Sequence, residues 1–347
     1  MRTMKKRAIF AAGLVALIAG VAAQVSTASP ARKSATTLNG AGSTFVSPLV
    51  AQWTDGIGKA YGYELNYSPI GSGGGIAAIT NRTVDFGASD APLSLDQFAA
   101  CKGCVQIPWA LSATSVAYNL PGVKNLLHVN GRVLADIYMG KITKWNDPAL
   151  QKLNKGVSLP DTAITTVHRS DGSGTTWNFT DYLSSVSGEW KSKVGRNTSV
   201  SWPAGTGARG SSGVAGVVSQ TQGAIGYFDI AFALRNKLKF FAVQNRSGKY
   251  ATPGLRGIAA AAASDQKPNA SNELSIVNPP KKFANAYPIS TFTYVILPLQ
   301  TPKAPELRKF VFWALTKGQS YGPKLLFQPI PKSVLTVSER TLQRIHA

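Results

Sequence analysis

Arg169 and Asp171 lie two residues apart in the segment RSDGSGT (169–175), which ends in two glycines, a serine and a threonine. The residues that follow, TWNFTDYLSSV, are typical of a helix. One interpretation is local, because turn residues end a strand and Thr175 caps the helix. The other is chemical: free backbone N–H groups at a helix start, hydroxyl groups and a guanidinium can together bind an anion.

Two further turns have the same design. NGAGSTF (39–45) precedes the first predicted helix, and PIGSGGG (69–75) follows a strand and leads into a helix predicted from Ile76. Unpaired N–H groups and the positive end of the helix dipole lie at such helix starts, so the three turns together favour an anion site. Known nucleotide loops do not fit, since the chain lacks GxxxxGK[ST] and PIGSGGG is not GxGxxG. GASDA (87–91) lacks the final glycine of the GxSxG hydrolase motif.

Asp90, in VDFGASDAPL, is the unusual residue of this set. It could be the N-cap of a helix over LSLDQF. In an anion site, however, a carboxylate repels any ligand that carries no proton to donate. Phosphate carries such a proton and sulfate at neutral pH does not, so a buried Asp90 would admit the first and reject the second.

Strand-like and helix-like segments alternate along the chain, which predicts an α/β fold. Helical periodicity is clear in VSPLVAQWTDGIGKAYG and in PELRKFVFWALTKG, whereas YELNYSPI alternates as a strand does. The length remaining after the N-terminal segment favours two lobes of ordinary domain size. No fixed-period repeat occurs.

The first 23 residues combine a basic start with the apolar run AIFAAGLVALIAGVAA, so we expect a secretory signal peptide cleaved after Ala23 or Ala28. A membrane anchor is the alternative, but the run is short for a span. No cysteine stands directly after this run, so we expect an exported protein that is soluble outside the cytoplasm and has no lipid anchor. Residues 24–36 are a polar leader.

The chain carries 37 basic and 16 acidic residues. Without the four basic residues of the signal segment, 33 remain against 16, an excess of 17. The basic residues are scattered, which argues against nucleic acid as a partner. The excess either steers small anions to the protein or reflects a scarcity of carboxylates suited to acidic surroundings.

Cys101 and Cys104 form the motif CKGC, and in an exported chain a disulfide is the favoured interpretation. A metal site would need further soft ligands, and the three histidines show no matching spacing. A redox motif would need a helix after it, whereas VQIPW is strand-like.

Six strings, in this order after a signal segment, resemble the family of periplasmic phosphate-binding proteins of the high-affinity phosphate ABC transporter. They are GAGSTF, IGSGGG, VDFGASDAPL, IYMGKITKWND, RSDGSGTTWNFTDYL and GAIGYFD. The resemblance extends from about Leu38 to Pro331. His168 is a departure, because close relatives often have a second arginine there.

The resemblance implies a phosphate site and a role for each residue in it. Asp90 would accept the phosphate proton, and Arg169 would bind the anion while Asp171 orients it and partly neutralises its charge. The hydrogen-bond donors implied on the two lobes are Thr44, Phe45, Ser72, Ser173, Gly174 and Thr175. No catalytic residue, cofactor or metal is implied.

The resemblance also implies the type II periplasmic-binding-protein fold, with two α/β lobes joined by two hinge crossings near 115–119 and 288–293. Lobe 1 would comprise 37–116 plus 290–347, and lobe 2 would comprise 117–289. A monomer would deliver phosphate to membrane permease subunits of an ABC importer. Two alternatives stay open: a receptor for sulfate or molybdate, and a secreted phosphatase, for which the sequence offers no clear base or metal cluster.

Overall fold

The computed structural model describes residues 36–347, so the predicted signal peptide and residues 24–35 of the leader lie outside the described residues. The strands are β1 Thr37–Gly42, β2 Glu64–Ser68, β3 Phe86–Ser89, β4 Cys104–Tyr118, β5 His128–Val129, β6 Thr165–Arg169, β7 Thr206–Ala208, β8 Ala224–Asp229, β9 Lys239–Phe240, β10 Ala242–Gln244, β11 Tyr250–Ala251 and β12 Ser290–Pro298. The helices are α1 Ser47–Tyr61, α2 Ser72–Thr80, α3 Leu95–Cys101, α4 Gly131–Tyr138, α5 Pro148–Leu153, α6 Gly174–Val186, α7 Gly188–Lys193, α8 Gly210–Gln220, α9 Ile230–Arg235, α10 Leu255–Ala262, α11 Ala304–Leu315 and α12 Lys332–Gln343. The predicted α/β class is confirmed.

A mixed sheet organises the fold, with strand order β2-β1-β3-β12-β4-β8-β6-β7 and β9 beside β4. β1 is parallel to β2 and β3, and β6 is parallel to β7 and β8. β12 is antiparallel to both of its neighbours, although it comes last among the strands in the chain. Parallel strands direct their carboxyl ends to one edge of a sheet, which is where loops form binding sites in α/β folds.

The long strand β4 joins the two halves of this sheet. Its first part, 104–113, pairs with β12, and its last part, 114–118, pairs with β8. Every residue of β4 is buried. Its run of apolar and small residues is typical of a strand that is covered on both faces. Because β4 pairs with β12 along its first part and with β8 along its last part, it connects the two halves of the sheet.

The glycine-rich turns enter their helices earlier than predicted. α2 begins at Ser72 rather than Ile76, and α6 begins at Gly174 rather than Thr176. The glycines themselves belong to the first turn of α2, and at Gly75 a side chain would collide with the end of β1. A Cβ on Gly75 would lie 2.4 Å from the Cα of Gly42.

Two other segments differ from the sequence-based expectation. The stretch LKFFAV is split into β9 and β10 because its two parts pair with different strands, β4 and β5. Phe241 lies buried between them, and its N–H donates to the carbonyl of Val116 at 3.0 Å. The helix α12 was not predicted. No helix within residues 36–347 has the length and apolar character needed to cross a membrane.

An aromatic cluster under the first half of the sheet fixes β3 in place. The Phe86 ring is fully buried and packs on Tyr67, Trp109 and Phe310, with centroid distances of 6.1, 6.0 and 5.3 Å. β3 leads directly to Asp90, so this packing sets the position of the carboxylate.

We expect Phe86→Ala to lower the free energy of unfolding by about 3 to 5 kcal/mol, because it removes a buried ring and leaves a cavity. Urea titration followed by circular dichroism measures the change. Phe312→Ala is the matched control, since Phe312 lies on α11 and is 47% exposed. Similar losses for the two variants would contradict the assignment of Phe86 to the core.

Candidate functional site

The three glycine-rich turns meet in one place. The N–H of Gly73, after β2, donates to the carbonyl of Gly172, after β6, at 2.9 Å. A Cβ on Gly174 would lie 2.6 Å from both the backbone nitrogen of Asp90 and Oγ of Ser72. Glycine is therefore required where the turn after β6 closes on the elements of the first sheet half.

Asp90 lies at the centre of this cluster, directly after the end of β3. Its side chain is buried and accepts hydrogen bonds from three hydroxyl groups. Ser43 and Thr293 donate to Oδ1 at 2.5 and 3.1 Å, and Thr175 donates to Oδ2 at 3.4 Å. These donors come from the residue that follows β1, from β12 and from α6, so elements of both halves of the sheet converge on one carboxylate.

Burial raises the pKa of Asp90 to about 6, because desolvation disfavours the ionised form. The hydroxyl donors and the positive charge of Arg169 oppose this effect without cancelling it. Near neutral pH the group is ionised and is a strong acceptor. An anion placed against it must bring a proton of its own.

Arg169, at the end of β6, forms a two-point ion pair with Asp171. Its Nε and Nη2 donate to the two carboxylate oxygens at 2.7 and 2.5 Å, and its side chain is only 1% exposed. Asp171 also accepts from the N–H of Gly210 at 3.0 Å. Burial acts to raise the pKa of Asp171, but the bonds and charge of Arg169 outweigh it, so the pKa lies below its usual value.

The remaining predicted site residues lie around this centre. Thr44 Oγ1 is 2.9 Å from Ser211 Oγ and accepts from the N–H of Ser211 at 3.1 Å. Ser72 is buried at the first turn of α2, where its Oγ accepts from the N–H of Asp90 at 3.3 Å. The N–H of Phe45 donates to Oγ of Ser43 at 3.1 Å. All of them lie at strand ends or helix starts.

The two helix-cap interpretations are wrong in detail. Ser94 caps α3 with a complete capping box, so Asp90 does not cap that helix. Ser173 caps α6 by accepting from the N–H of Thr176 at 3.1 Å, which is the role that the local interpretation gave to Thr175. Thr175 instead directs its hydroxyl to Asp90.

Sequence reasoning missed several residues of the cluster. Ser43 lies in the motif GAGSTF, but the resemblance implied a ligand role for its neighbour Thr44 and not for Ser43. Thr293 comes from β12, 203 positions after Asp90, and has no local signal. Ser211 is the second residue of α8, whose start contains no recognised motif.

A second buried carboxylate, Asp229, lies at the end of β8. It caps α9 by accepting from the N–H of Ala231 at 2.9 Å, and Ser112 of β4 donates to it at 2.7 Å. Burial raises its pKa well above the ordinary value, and the negative charge of Asp90 adds to this effect. Its hydrogen bond with Ser112 connects the end of β8 to β4, the strand that joins the two halves of the sheet.

The cysteines contact none of the site residues, whereas His168 Nδ1 lies 3.2 Å from the carbonyl oxygen of Arg169. Cys101 and Cys104 form a disulfide with Cα atoms 5.6 Å apart. The His168 ring stacks on Trp202 at 4.7 Å, and burial lowers its pKa. In the part of the chain that the structure describes, no group of three or more His, Cys, Asp or Glu residues could hold a metal ion.

The chain is similar to proteins of a known family. A model of the PBP superfamily domain matches residues 27–317. A curated relative, the phosphate-binding protein PstS of Xylella fastidiosa (strain Temecula1), is 42% identical over 302 residues, which cover 86% of this chain and 82% of the relative. The chain belongs to the PstS family. The PstS protein of Pasteurella multocida is 41% identical, with 87% of this chain and 88% of that protein covered.

Solved structures agree with membership of the PstS family at the level of the fold. The phosphate-binding protein of Stenotrophomonas maltophilia has a TM-score of 0.69 at 18% identity, with 88% of this chain and 94% of that chain covered. A high affinity periplasmic phosphate-binding protein solved with phosphate has a TM-score of 0.70 at 20% identity, with 88% of this chain and 93% of that chain covered. The predicted periplasmic-binding-protein fold is confirmed.

Proposed function

We propose that this chain binds inorganic phosphate outside the cytoplasm and delivers it to the permease of an ABC importer. The observation that carries the proposal is the buried carboxylate of Asp90, which accepts three hydroxyl donors and still needs a proton on the ligand. Membership of the PstS family supports it, because the curated relatives are named phosphate-binding proteins. The alternative of another oxyanion receptor has no observation in its favour.

The site holds its ligand by hydrogen bonds rather than by surplus charge. Asp171 neutralises the guanidinium of Arg169, and the N–H groups of Arg169 that do not bond to Asp171 remain as donors for the ligand. The hydroxyl donors are those of Thr44, Ser72 and Ser173, and the backbone donors are at Gly174 and Thr175. The hydroxyl of Thr175 and the N–H of Phe45 would turn from Asp90 and Ser43 to the ligand. Asp90 accepts the phosphate proton, so a fully deprotonated oxyanion places two acceptors against each other.

The halves of the sheet correspond to the two lobes that we propose, with lobe 1 formed by 37–116 plus 290–347 and lobe 2 by 117–289. The chain would cross between them in β4 and again just before or within β12. Residues assigned to opposite lobes meet at the site, as Thr44 does with Ser211 and Gly73 with Gly172, which is the arrangement we expect where two lobes close on a ligand. We propose that the protein acts as a periplasmic monomer, without catalysis and without a cofactor.

We expect sulfate binding to strengthen about 100-fold between pH 8 and pH 5. Because the pKa of Asp90 is about 6, the carboxylate is ionised at pH 8 and repels sulfate. At pH 5 most molecules carry the proton, and the carboxylic acid donates to a sulfate oxygen. Isothermal titration of the mature, phosphate-stripped protein with phosphate and sulfate at both pH values measures this.

Tight one-to-one phosphate binding at pH 8, with sulfate ignored, would support the proposal. Equal binding of both anions at pH 8 would mean that Asp90 has only a structural role and that the protein is a general oxyanion receptor. Failure to bind either anion would contradict the proposed function itself.

A further inference from the structure

A cavity of about 800 Å³ opens beside the Asp90 cluster. One wall is formed by α1 and by the segment that includes and follows β2. The other wall is formed by the start of α8 and by α9, with Asp171 between them. Thr44, Asp171 and Gly210 belong both to this cavity and to the candidate site, so the cavity leads directly to it.

The charges on the second wall are uncompensated. Arg209 and Arg235 line the cavity and are exposed, and neither forms an ion pair with a carboxylate of residues 36–347. Among the described lining residues the acidic group is Asp171, whose oxygens are occupied by Arg169 and the N–H of Gly210. The cavity therefore presents two free guanidinium groups to an incoming anion.

The Asp90 cluster does not attract anions by charge. Its cation, Arg169, is neutralised by Asp171, and Asp90 adds a buried negative charge near neutral pH. A phosphate dianion approaching this cluster alone would meet repulsion before it could form hydrogen bonds. A positive group outside the cluster would offset that repulsion and raise the rate of encounter.

We propose that Arg209 and Arg235 form an outer oxyanion site, which binds inorganic phosphate before it enters the Asp90 cluster; this rests on the proposed function. Guanidinium groups donate hydrogen bonds and accept none, so the outer site does not require a proton on its ligand. It binds sulfate as well as phosphate. Selection is left to Asp90, and the outer site is weak because its arginines are exposed.

Stopped-flow tryptophan fluorescence of the mature protein with phosphate tests this proposal. We expect Arg209→Ala/Arg235→Ala to slow association about tenfold at low ionic strength and to leave dissociation nearly unchanged, since charges at a rim act mainly on the association rate. The salt dependence of association becomes shallower. Millimolar sulfate slows phosphate association in the natural protein more than sodium chloride of equal ionic strength does, and the double variant loses this difference.

Arg246→Ala/Arg256→Ala is the matched control. Both arginines are exposed, and Arg256 lines a separate cavity with Lys249 and Tyr250. This variant removes the same charge from the protein but none from the cavity beside the Asp90 cluster. Equal slowing in the two double variants would assign the effect to net charge and overturn the outer site. Unchanged association in Arg209→Ala/Arg235→Ala would also overturn it, while phosphate binding by the natural protein would leave the proposed function intact.

Discussion

Asp90→Asn is expected to abolish most of the discrimination between phosphate and sulfate. A site built to accept a ligand proton rejects an analogue that lacks it by about 10⁴ to 10⁵. The asparagine amide can donate to a bare sulfate oxygen, so we expect the ratio of the two affinities to fall to about 10² or below, mostly through tighter sulfate binding. Isothermal titration at pH 8 with both anions measures the ratio.

The same variant has an effect on stability of predictable sign. The pKa of Asp90 is raised in the folded protein, so ionisation lowers the free energy of unfolding as the pH rises from about 4 to about 6. Removal of the charge should therefore stabilise the phosphate-free protein at pH 8 more than at pH 4. Asp55→Asn, at an exposed position on α1, controls for net charge. Unchanged selectivity in Asp90→Asn would remove the role that we give to this residue.

Gly174→Ala should weaken phosphate binding by at least about 100-fold. The added Cβ would lie 2.6 Å from the backbone nitrogen of Asp90 and 2.7 Å from that of Ala91. Neither backbone atom can move as the end of a flexible side chain can, so the turn after β6 is held away from Ser72 and Asp90. Donors from opposite sides of the site then cannot reach one ligand together, and positioning errors of this kind are costly.

Gly216→Ala is the matched control for this effect. Gly216 lies within α8, and a Cβ there meets no atom within 4 Å. Alanine in a helix interior is favoured over glycine by about 1 kcal/mol, so this variant should bind as the natural protein does and unfold at slightly higher temperature. Thermal unfolding with and without phosphate compares the two. A normal phosphate-induced rise in melting temperature for Gly174→Ala would contradict the close approach as a requirement for binding.

Local sequence signals predicted the parts of the site that lie near each other in the chain. RSDGSGT combines turn residues, a guanidinium and a carboxylate within seven positions, and the structure pairs Arg169 with Asp171 as the resemblance implied. Asp90 was recognisable because an acidic residue directly follows a short buried strand. The α/β class followed from the alternation of two periodicities.

Long-range contacts could not be predicted in this way. Thr293 reaches Asp90 because β12 inserts between β3 and β4, and no local pattern specifies that insertion. Ser211 meets Thr44 across 167 positions for a similar reason. Helix starts were misplaced by two to four residues, since close packing against the sheet, which Gly75 and Gly174 permit, is a property of the folded chain.

The order of strands has a consequence for how the chain is made. β12 lies in the middle of the sheet, between β3 and β4, yet it is the last strand to leave the ribosome. The N-terminal strands therefore lack their central partner until almost the whole polypeptide has been synthesised, and pairing over such distances is slow. A protein with a signal peptide, as we propose for this chain, would cross the membrane as an extended polypeptide. Late completion of the sheet would keep it in a form that a secretion channel can thread.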